Sequence, residues 1–167
     1  CYDGLTGDLL KIEIRKGSAY SSTGVVPFLQ PLLDEYLNLY PNTQLFLRGD
    51  SGFATPELYK QAESNACSYA IRLKDNHLLR ENSFHLEEEV TAQAAFHPEK
   101  FIARYGEFSY QAKSWDYSRR VICKIEKRPG ELFVRHTFIV TNMELSPQEL
   151  VKFYCNRGRM ENFIKES

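Results

Sequence analysis

The sequence contains few of the residue patterns that mark zinc-binding or disulfide-rich proteins. Its four cysteines stand far apart, without a Cys-x-x-Cys pair, and no two of its four histidines have the spacing of metal ligands. The cysteines are Cys1, Cys67, Cys123 and Cys155. We therefore expect free thiols in a reducing cytoplasm and no zinc site.

The chain also lacks a long hydrophobic run and an excess of charge. No stretch reaches the length of a membrane span, and the first residues lack the basic and apolar regions of a signal peptide. We therefore expect a cytoplasmic protein without a membrane partner. The formal net charge is -1 and the isoelectric point is about 6.5, so the chain as a whole has no cationic field to attract nucleic acid. Any contact with nucleic acid must be local.

The composition that remains suits a globular protein with a real core. The chain has 167 residues, of which 43% are hydrophobic and 13% aromatic, and this size favours one domain or one domain with an insertion. Its first residues, CYDGLTGDLLKIEIRKG, are typical of the second half of a strand, a turn over residues 4–7 and a second strand. We therefore expect the chain to begin inside a fold.

Helix and strand patterns alternate over the first part of the chain. An apolar stripe predicts a helix over residues 25–40, although Pro31 favours a start of the helix proper near that proline. A strand is predicted over 43–47, a helix with an N-cap threonine and a first-turn proline over 55–65, and a strand over 67–73. This alternation indicates an α/β protein with a mixed sheet covered by helices.

A β-rich region follows a polar stretch that contains a short predicted helix at its three consecutive glutamates. We expect this region to be an antiparallel meander, with a turn at Pro129 and Gly130, inserted before the final helix. Its strand-like runs are 102–113, 119–127 and 132–141. The predicted division is therefore 1–74 for the first part of the core, 75–143 for the insertion and 144–167 for the final helix.

The final helix, residues 146–167, begins at a capping box formed by Ser146 and Glu149. Three of its side chains, spaced three and four residues apart, project from one helical face. They are Tyr154, Arg157 and Glu161. An aromatic ring, a guanidinium and a carboxylate on one face suit a phosphodiester and a metal ion.

Asp50 is the second candidate carboxylate, because it follows the predicted strand at the end of which ligands bind in α/β folds. Flanking glycines would let the backbone turn sharply and let a large substrate approach. Both carboxylates also have plain structural explanations. Asp50 could cap the next turn, and Glu161 could form an exposed ion pair with Arg157, worth about 0.2 to 0.5 kcal/mol.

Further cationic side chains are candidate DNA contacts. Gly158 costs a helix about 1 kcal/mol relative to alanine, so something is expected to pack closely beside it, and the arginines on either side suit phosphate oxygens. The full set of candidate DNA-binding residues is Tyr154, Arg157, Arg159, Lys165, Arg72 and Lys74. Arg72 and Lys74 could equally be solvated charges at a strand end. Trp115, with Tyr110 and Tyr117, could stack on bases, although aromatic residues in a meander more often serve packing.

Two segments together resemble a known family. The segments RGDSGFATPELYKQAESNACSYAIRLK and FYCNRGRMENFIKE are similar to the catalytic core of DDE transposases of the IS4-related group, most of all the IS1380 family. The resemblance covers nearly the whole chain. It implies a ribonuclease H-like fold, in which three carboxylates hold two divalent ions, Mg²⁺ or Mn²⁺, with a β-rich insertion before the last helix. It assigns Asp50 as the second aspartate and Glu161 as the glutamate.

The chain departs from that family pattern at both ends. The family's first aspartate lies on a strand upstream of the opening hairpin, and Asp3 and Asp8 flank the hairpin turn, so we accept neither as a substitute. The family's lysine seven residues after the glutamate would lie one position beyond Ser167. The resemblance therefore implies a fragment that lacks one metal ligand and is inactive alone.

The resulting hypothesis is a cut-and-paste transposase that hydrolyses DNA at transposon ends and joins the 3′ hydroxyls to a target. Its expected partners are transposon-end and target DNA and further copies of itself, with no small-molecule cofactor, in the nucleoid of a bacterial cytoplasm. Two alternatives remain open at this point. One is a noncatalytic DNA-binding or assembly domain with the same fold, and the other is a general ribonuclease H-like nuclease.

Overall fold

Five strands and five α-helices make up the computed structural model, which describes residues 1–14 and 16–155. The strands are β1 (Phe46–Gly49), β2 (Ser68–Leu73), β3 (Ile102–Tyr110), β4 (Arg119–Lys127) and β5 (Arg135–Thr141). The helices are α1 (Val25–Leu39), α2 (Pro56–Ser64), α3 (His77–Asn82), α4 (Phe84–Phe96) and α5 (Pro147–Cys155). A single turn of 3₁₀ helix, Ser51–Phe53, follows β1.

All five strands lie in one mixed sheet, in the order β1-β2-β5-β4-β3. Strands β1 and β2 are parallel, and the other three pairings are antiparallel. The predicted meander of β3, β4 and β5 is confirmed, and it extends the sheet of β1 and β2 because β5 pairs with β2. A mixed sheet with flanking helices is the fold class that the sequence predicts, and it is consistent with a ribonuclease H-like fold.

The two faces of the sheet are covered by different helices, because successive strand residues point to opposite sides. On one face, Ile71 of β2 and Val121 of β4 belong to a core that also contains side chains of α1, α2, α3 and α4. On the other face, Ala70, Ile122 and Ile139 pack against α5. The sheet is therefore the middle of three layers, and α5 alone covers its second face among the described residues.

The predicted N-terminal caps of α2 and α5 are both confirmed. The Thr55 hydroxyl accepts from the backbone N–H of Leu58, and Pro56 occupies the first helical position of α2. At α5, the Ser146 hydroxyl accepts from the Glu149 N–H at 3.4 Å, and the Glu149 carboxylate accepts from the Ser146 N–H at 3.2 Å. These reciprocal bonds satisfy N–H groups that have no partner within a helix.

The predicted opening hairpin is wrong as a pair of strands. An isolated bridge between Tyr2 and Leu9 joins its arms, and the turn is held by the Asp3 carboxylate, which accepts from the N–H groups of Leu5 and Thr6. Two short strands are only marginally stable without a third strand or a helix to cover them. Ile12 and Ile14, which follow this bridge, are exposed.

Helix α1 begins at Val25, so the predicted start near Pro31 is wrong, and Pro31 lies inside the helix. Proline removes one backbone N–H and crowds the preceding turn. Side-chain donors reach two carbonyls of that turn, because Gln61 Nε2 donates to Val26 and Lys11 Nζ to Phe28, each at 2.7 Å. These bonds tie the first turns of α1 to α2 and to the opening segment.

No helix of the described residues is long and apolar enough to cross a membrane. The four cysteines, all of them described, are free thiols, as the sequence predicts, with Cys67 and Cys123 buried. Burial raises the pKa of both thiols to about 11. These two side chains are therefore neutral packing groups at neutral pH.

An ion pair between a buried arginine and a partly exposed glutamate joins α2, β2 and the start of β4. The Glu63 carboxylate accepts from Arg119 Nε at 2.8 Å, from Arg119 Nη2 at 3.0 Å, from the Tyr69 hydroxyl at 2.8 Å and from the Tyr117 hydroxyl. The Arg119 side chain is 3% exposed and lies against the rings of Tyr59, Trp115 and Tyr117. This cluster fixes the end of the β3–β4 connection against α2.

The same contacts set the charge of the Glu63 carboxylate. Burial acts to raise the pKa of Glu63, but hydrogen bonds from Arg119, Tyr117 and Tyr69 outweigh burial and hold that pKa below its ordinary value. Burial likewise acts to lower the pKa of Arg119, and the Glu63 hydrogen bonds raise it above the ordinary value. Both groups are therefore charged in the folded protein.

We predict that Arg119→Met lowers the free energy of unfolding by about 2 kcal/mol, because it leaves the partly exposed Glu63 carboxylate without its charged partner. The matched control is Arg104→Met, which removes an arginine from a more exposed pair with Glu89 and is expected to cost less than about 1 kcal/mol. Urea denaturation measures both. Equal losses in the two variants would contradict a larger contribution of the Glu63–Arg119 pair to the free energy of unfolding.

We predict that the Glu63 carboxylate also makes the free energy of unfolding depend on pH. Since folding lowers the pKa of Glu63, its contribution is complete above the ordinary pKa of 4.5 and is lost as pH falls through the lower folded value. Urea unfolding between about pH 6 and pH 3 should show a steeper loss of stability in the wild type than in Glu63→Gln. Parallel curves for the two proteins would show that this carboxylate is not stabilised by folding.

Candidate active site

Asp50 lies at the carboxyl end of β1, as the sequence predicts. It follows the last strand residue in an extended conformation and is half-buried. Its carboxylate accepts from the Gly52 N–H at 2.9 Å and caps the short 3₁₀ turn. The capping interaction proposed as an alternative is therefore present, and it holds the carboxylate in place at the sheet edge.

The two glycines beside Asp50 do not have the role expected of them in a sharp turn. Among the described glycines, Gly7, Gly24 and Gly130 take positive φ angles, whereas Gly49 and Gly52 do not. Gly52 instead lets neighbouring groups approach its backbone closely. A Cβ atom at this position would lie 3.0 Å from Ser21 Cβ and 3.1 Å from Asp50 Oδ1. The absence of a side chain lets the segment before α1 pack against the Asp50 turn.

Arg72 lies beside Asp50 by strand register. Gly49 pairs with Ile71, so Asp50 and Arg72 each lie one residue beyond the same pair on neighbouring parallel strands. Arg72 is exposed and shares its face of the sheet with Ala70, the face that α5 covers. The structure therefore brings a carboxylate and a guanidinium to the same level of the sheet edge, while the DNA contact of Arg72 stays a prediction.

A shallow groove of about 200 Å³ opens next to the Asp50 turn, between the ends of β1 and β2 and the β3–β4 connection. Its polar lining includes Ser51, Lys74 and Asn76, and its aromatic lining includes Tyr110 and Trp115. Trp115 is 6% exposed and makes edge contacts with the rings of Tyr59 and Tyr110. Packing is therefore the observed role of Trp115, and Lys74 is the exposed cation of the groove.

Helix α5 reaches β1 from the opposite end of the sheet. Its buried residues Leu150 and Val151 lie over β2, β4 and β5, and Phe153 lies against Phe46 of β1 with ring centroids 5.8 Å apart. Tyr154 is 8% exposed and packs in the same cluster. The Tyr154 ring therefore packs in the core, and its contact with a DNA strand stays a prediction.

The remaining predicted residues of the final helix lie outside the described residues. They are Arg157, Arg159, Glu161 and Lys165. Their roles stay predictions, as does the continuation of the helix to residue 167. Within residues 1–14 and 16–155, no group of three His, Cys, Asp or Glu side chains is placed to hold a metal ion.

Asp3 and Asp8 are occupied by the opening turn. Backbone N–H groups of Thr6 and Leu5 lower the pKa of Asp3, and Asp8 accepts from the Thr6 hydroxyl at 2.7 Å. Both carboxylates therefore have local partners in the turn. That neither replaces a metal ligand of the sheet stays a prediction.

Two residues near the site went unremarked in the sequence. Arg48 donates to the Phe153 carbonyl, and the Glu63 carboxylate holds Arg119 at the base of the groove wall. Arg48 stands directly after the predicted strand 43–47, and no local pattern indicates its contact with Phe153, which lies 105 residues away. The partner of Glu63, Arg119, is likewise distant, at a separation of 56 residues.

We predict that Gly52→Ala lowers the free energy of unfolding by about 1 to 3 kcal/mol, because the added methyl group must displace Ser21 or the Asp50 carboxylate. The matched control is Gly17→Ala, where an added Cβ meets no atom within 4 Å and φ is not positive. Urea denaturation compares the two. A Gly52→Ala protein as stable as Gly17→Ala would contradict the close packing described here.

Comparison with known proteins identifies the family. The family model described as Transposase DDE domain group 1 matches residues 1–167. No curated protein matches the chain. Transposases act on DNA, and members of this family generally use divalent metal ions. The chain belongs to the DDE transposase domain family, group 1.

Proposed function

We propose that this chain is the catalytic core of a cut-and-paste DNA transposase of the IS4-related group, similar to the IS1380 family, acting at transposon ends. The observation that supports the proposal is that Asp50 directly follows β1 and that α5, the helix that precedes Glu161 in the sequence, contacts the same strand through Phe153.

The residues present fit a divalent metal in their chemistry. Asp50 presents carboxylate oxygens at a half-exposed strand end, and Mg²⁺ is bound in proteins through one or two carboxylates, with water and phosphate completing its shell. Glu161 is the second proposed ligand. Two such ions, when bound, activate a water or 3′ hydroxyl and stabilise the leaving oxygen of the phosphodiester.

The chain's own side chains would hold the DNA beside these ligands. Arg72 and Lys74 lie at the carboxyl end of β2, the strand next to β1, where they can contact phosphate oxygens. Arg157, Arg159 and Lys165 are proposed to extend this contact along the final helix, with Tyr154 beside the cleaved strand. Local contacts of this kind are what a chain with a net charge of -1 requires.

The wider setting is part of the same proposal. The expected ions are Mg²⁺ or Mn²⁺, and the protein is proposed to self-associate on transposon ends in the nucleoid of a bacterial cytoplasm. The proposed division keeps 75–143 as a β-rich insertion between core parts 1–74 and 144–167. Its strands continue the core sheet, which supports an insertion that widens one domain.

We predict that Asp50→Asn and Glu161→Gln each abolish Mg²⁺-dependent cleavage of terminal-repeat DNA by the whole transposase. Each change replaces a charged oxygen ligand by a neutral amide, which binds Mg²⁺ poorly. The readout is the cleavage of labelled transposon-end DNA in Mg²⁺ and in Mn²⁺.

The matched control for these variants is Glu88→Gln, an exposed carboxylate on α4, which packs on the opposite face of the sheet. It should cleave as the wild type does. Full cleavage by Asp50→Asn or Glu161→Gln would end the proposal and favour a noncatalytic domain or another active site. Equal cleavage of DNA without terminal repeats would favour a general nuclease.

A further inference from the structure

Two side chains of β1, Phe46 and Arg48, lie two residues apart on the sheet face that α5 covers. Arg48 pairs in register with Ala70, and Ala70 packs in the α5 cluster, which fixes the face. The strand that ends in Asp50 therefore presents Phe46 and then Arg48 to the helix before it reaches the carboxylate.

Phe153 of α5 is held by both of these side chains. Arg48 Nη1 donates to the Phe153 carbonyl at 3.0 Å, and the guanidinium carbon lies 5.2 Å from the centre of the Phe153 ring. The Phe46 ring lies 5.8 Å from the same ring. One residue of the helix is thus fixed to β1 through its backbone and its side chain together.

The chemistry of this contact suits a fixed position. A guanidinium is planar and donates in fixed directions, so it constrains both the distance and the orientation of the carbonyl. A carbonyl oxygen has two lone pairs, so the contact is compatible with a helix that continues past Phe153. The second terminal nitrogen of Arg48 lies 3.4 Å from the Gly4 carbonyl, which ties the opening turn to the same point.

We propose that Arg48 is a positioning residue that sets where α5 lies along β1 and thereby where Glu161 lies relative to Asp50. This inference rests on the proposed function, because it gives the contact a role in aligning two metal ligands. Phe153 precedes Glu161 by eight residues. A shift of one residue in the contact would move a helix by about 1.5 Å along its axis and rotate it, which exceeds what a catalytic arrangement tolerates.

The first test is hydrogen exchange of the protein without DNA or metal. In Arg48→Met, amides of residues 150–155 should exchange about tenfold faster, the equivalent of losing one hydrogen bond to a charged group, while amides of β4 stay unchanged. Arg104→Met, which removes an arginine of a pair between β3 and α4, should leave α5 unchanged. Wild-type exchange in α5 of Arg48→Met, or faster exchange throughout the protein, would overturn the proposal.

The second test is single-turnover cleavage by the whole transposase at saturating DNA and Mn²⁺. Arg48→Met should reduce this rate about 100-fold, as expected of a small misplacement of catalytic groups, with the DNA dissociation constant unchanged. Phe153→Leu removes the ring but keeps the carbonyl, so it should give a smaller loss. Arg48→Lys keeps the charge but not the planar contact, so it should restore the rate only in part.

Three results would contradict a positioning role. They are a wild-type rate in Arg48→Met, full rescue by Arg48→Lys, and weaker DNA binding with an unchanged saturated rate, which is the behaviour of a phosphate contact. If the wild-type transposase does not cleave DNA, the proposed function fails by itself. Hydrogen exchange then still decides whether Arg48 holds α5.

Discussion

The pairing of β5 with β2 is the contact on which the rest of this structure depends. Thr141 Oγ1 donates to the Tyr69 carbonyl at 2.6 Å, and the Asn142 side chain accepts from the Tyr69 N–H and donates to the Cys67 carbonyl. These bonds join the meander to the strands that precede it in the chain. Because β5 ends beside β2, the chain can enter α5 on the open face of the sheet and cross back to β1.

The carboxyl end of β1, which Asp50 follows, is held in place by the β2–β5 pairing and by two polar contacts around it. The Glu63–Arg119 pair holds the β3–β4 connection against α2, which fixes one wall of the groove beside Asp50. Arg48 holds α5 on the other face. The carboxylate itself is held by the Gly52 N–H, so a capping bond and a proposed metal ligand are two uses of one side chain. The capping hydrogen bond fixes the orientation of the carboxylate before any ligand binds.

Local patterns predicted local structure well, and pairings between distant residues less so. Thr55 and Ser146 marked the starts of α2 and α5 because capping depends on residues three positions apart. The opening hairpin failed because strands need partners that local sequence does not provide. Helix α1 begins at Val25 and includes Pro31, near which the sequence favoured a helix start. Asp50 was placed correctly at a strand end. The contact of Arg48 with Phe153 spans 105 residues, so no local pattern could indicate it.

The central claim is that the end of β1 and the helix after Ser146 bring Asp50 and Glu161 to one pair of divalent ions. The most direct measurement is anomalous diffraction from Mn²⁺ in crystals of the whole transposase bound to transposon-end DNA. The account predicts Mn²⁺ at the carboxyl end of β1, within coordination distance of oxygens of both Asp50 and Glu161 and of a DNA phosphate. Mn²⁺ bound at another place, or a Glu161 carboxylate that takes no part in the site, would contradict it.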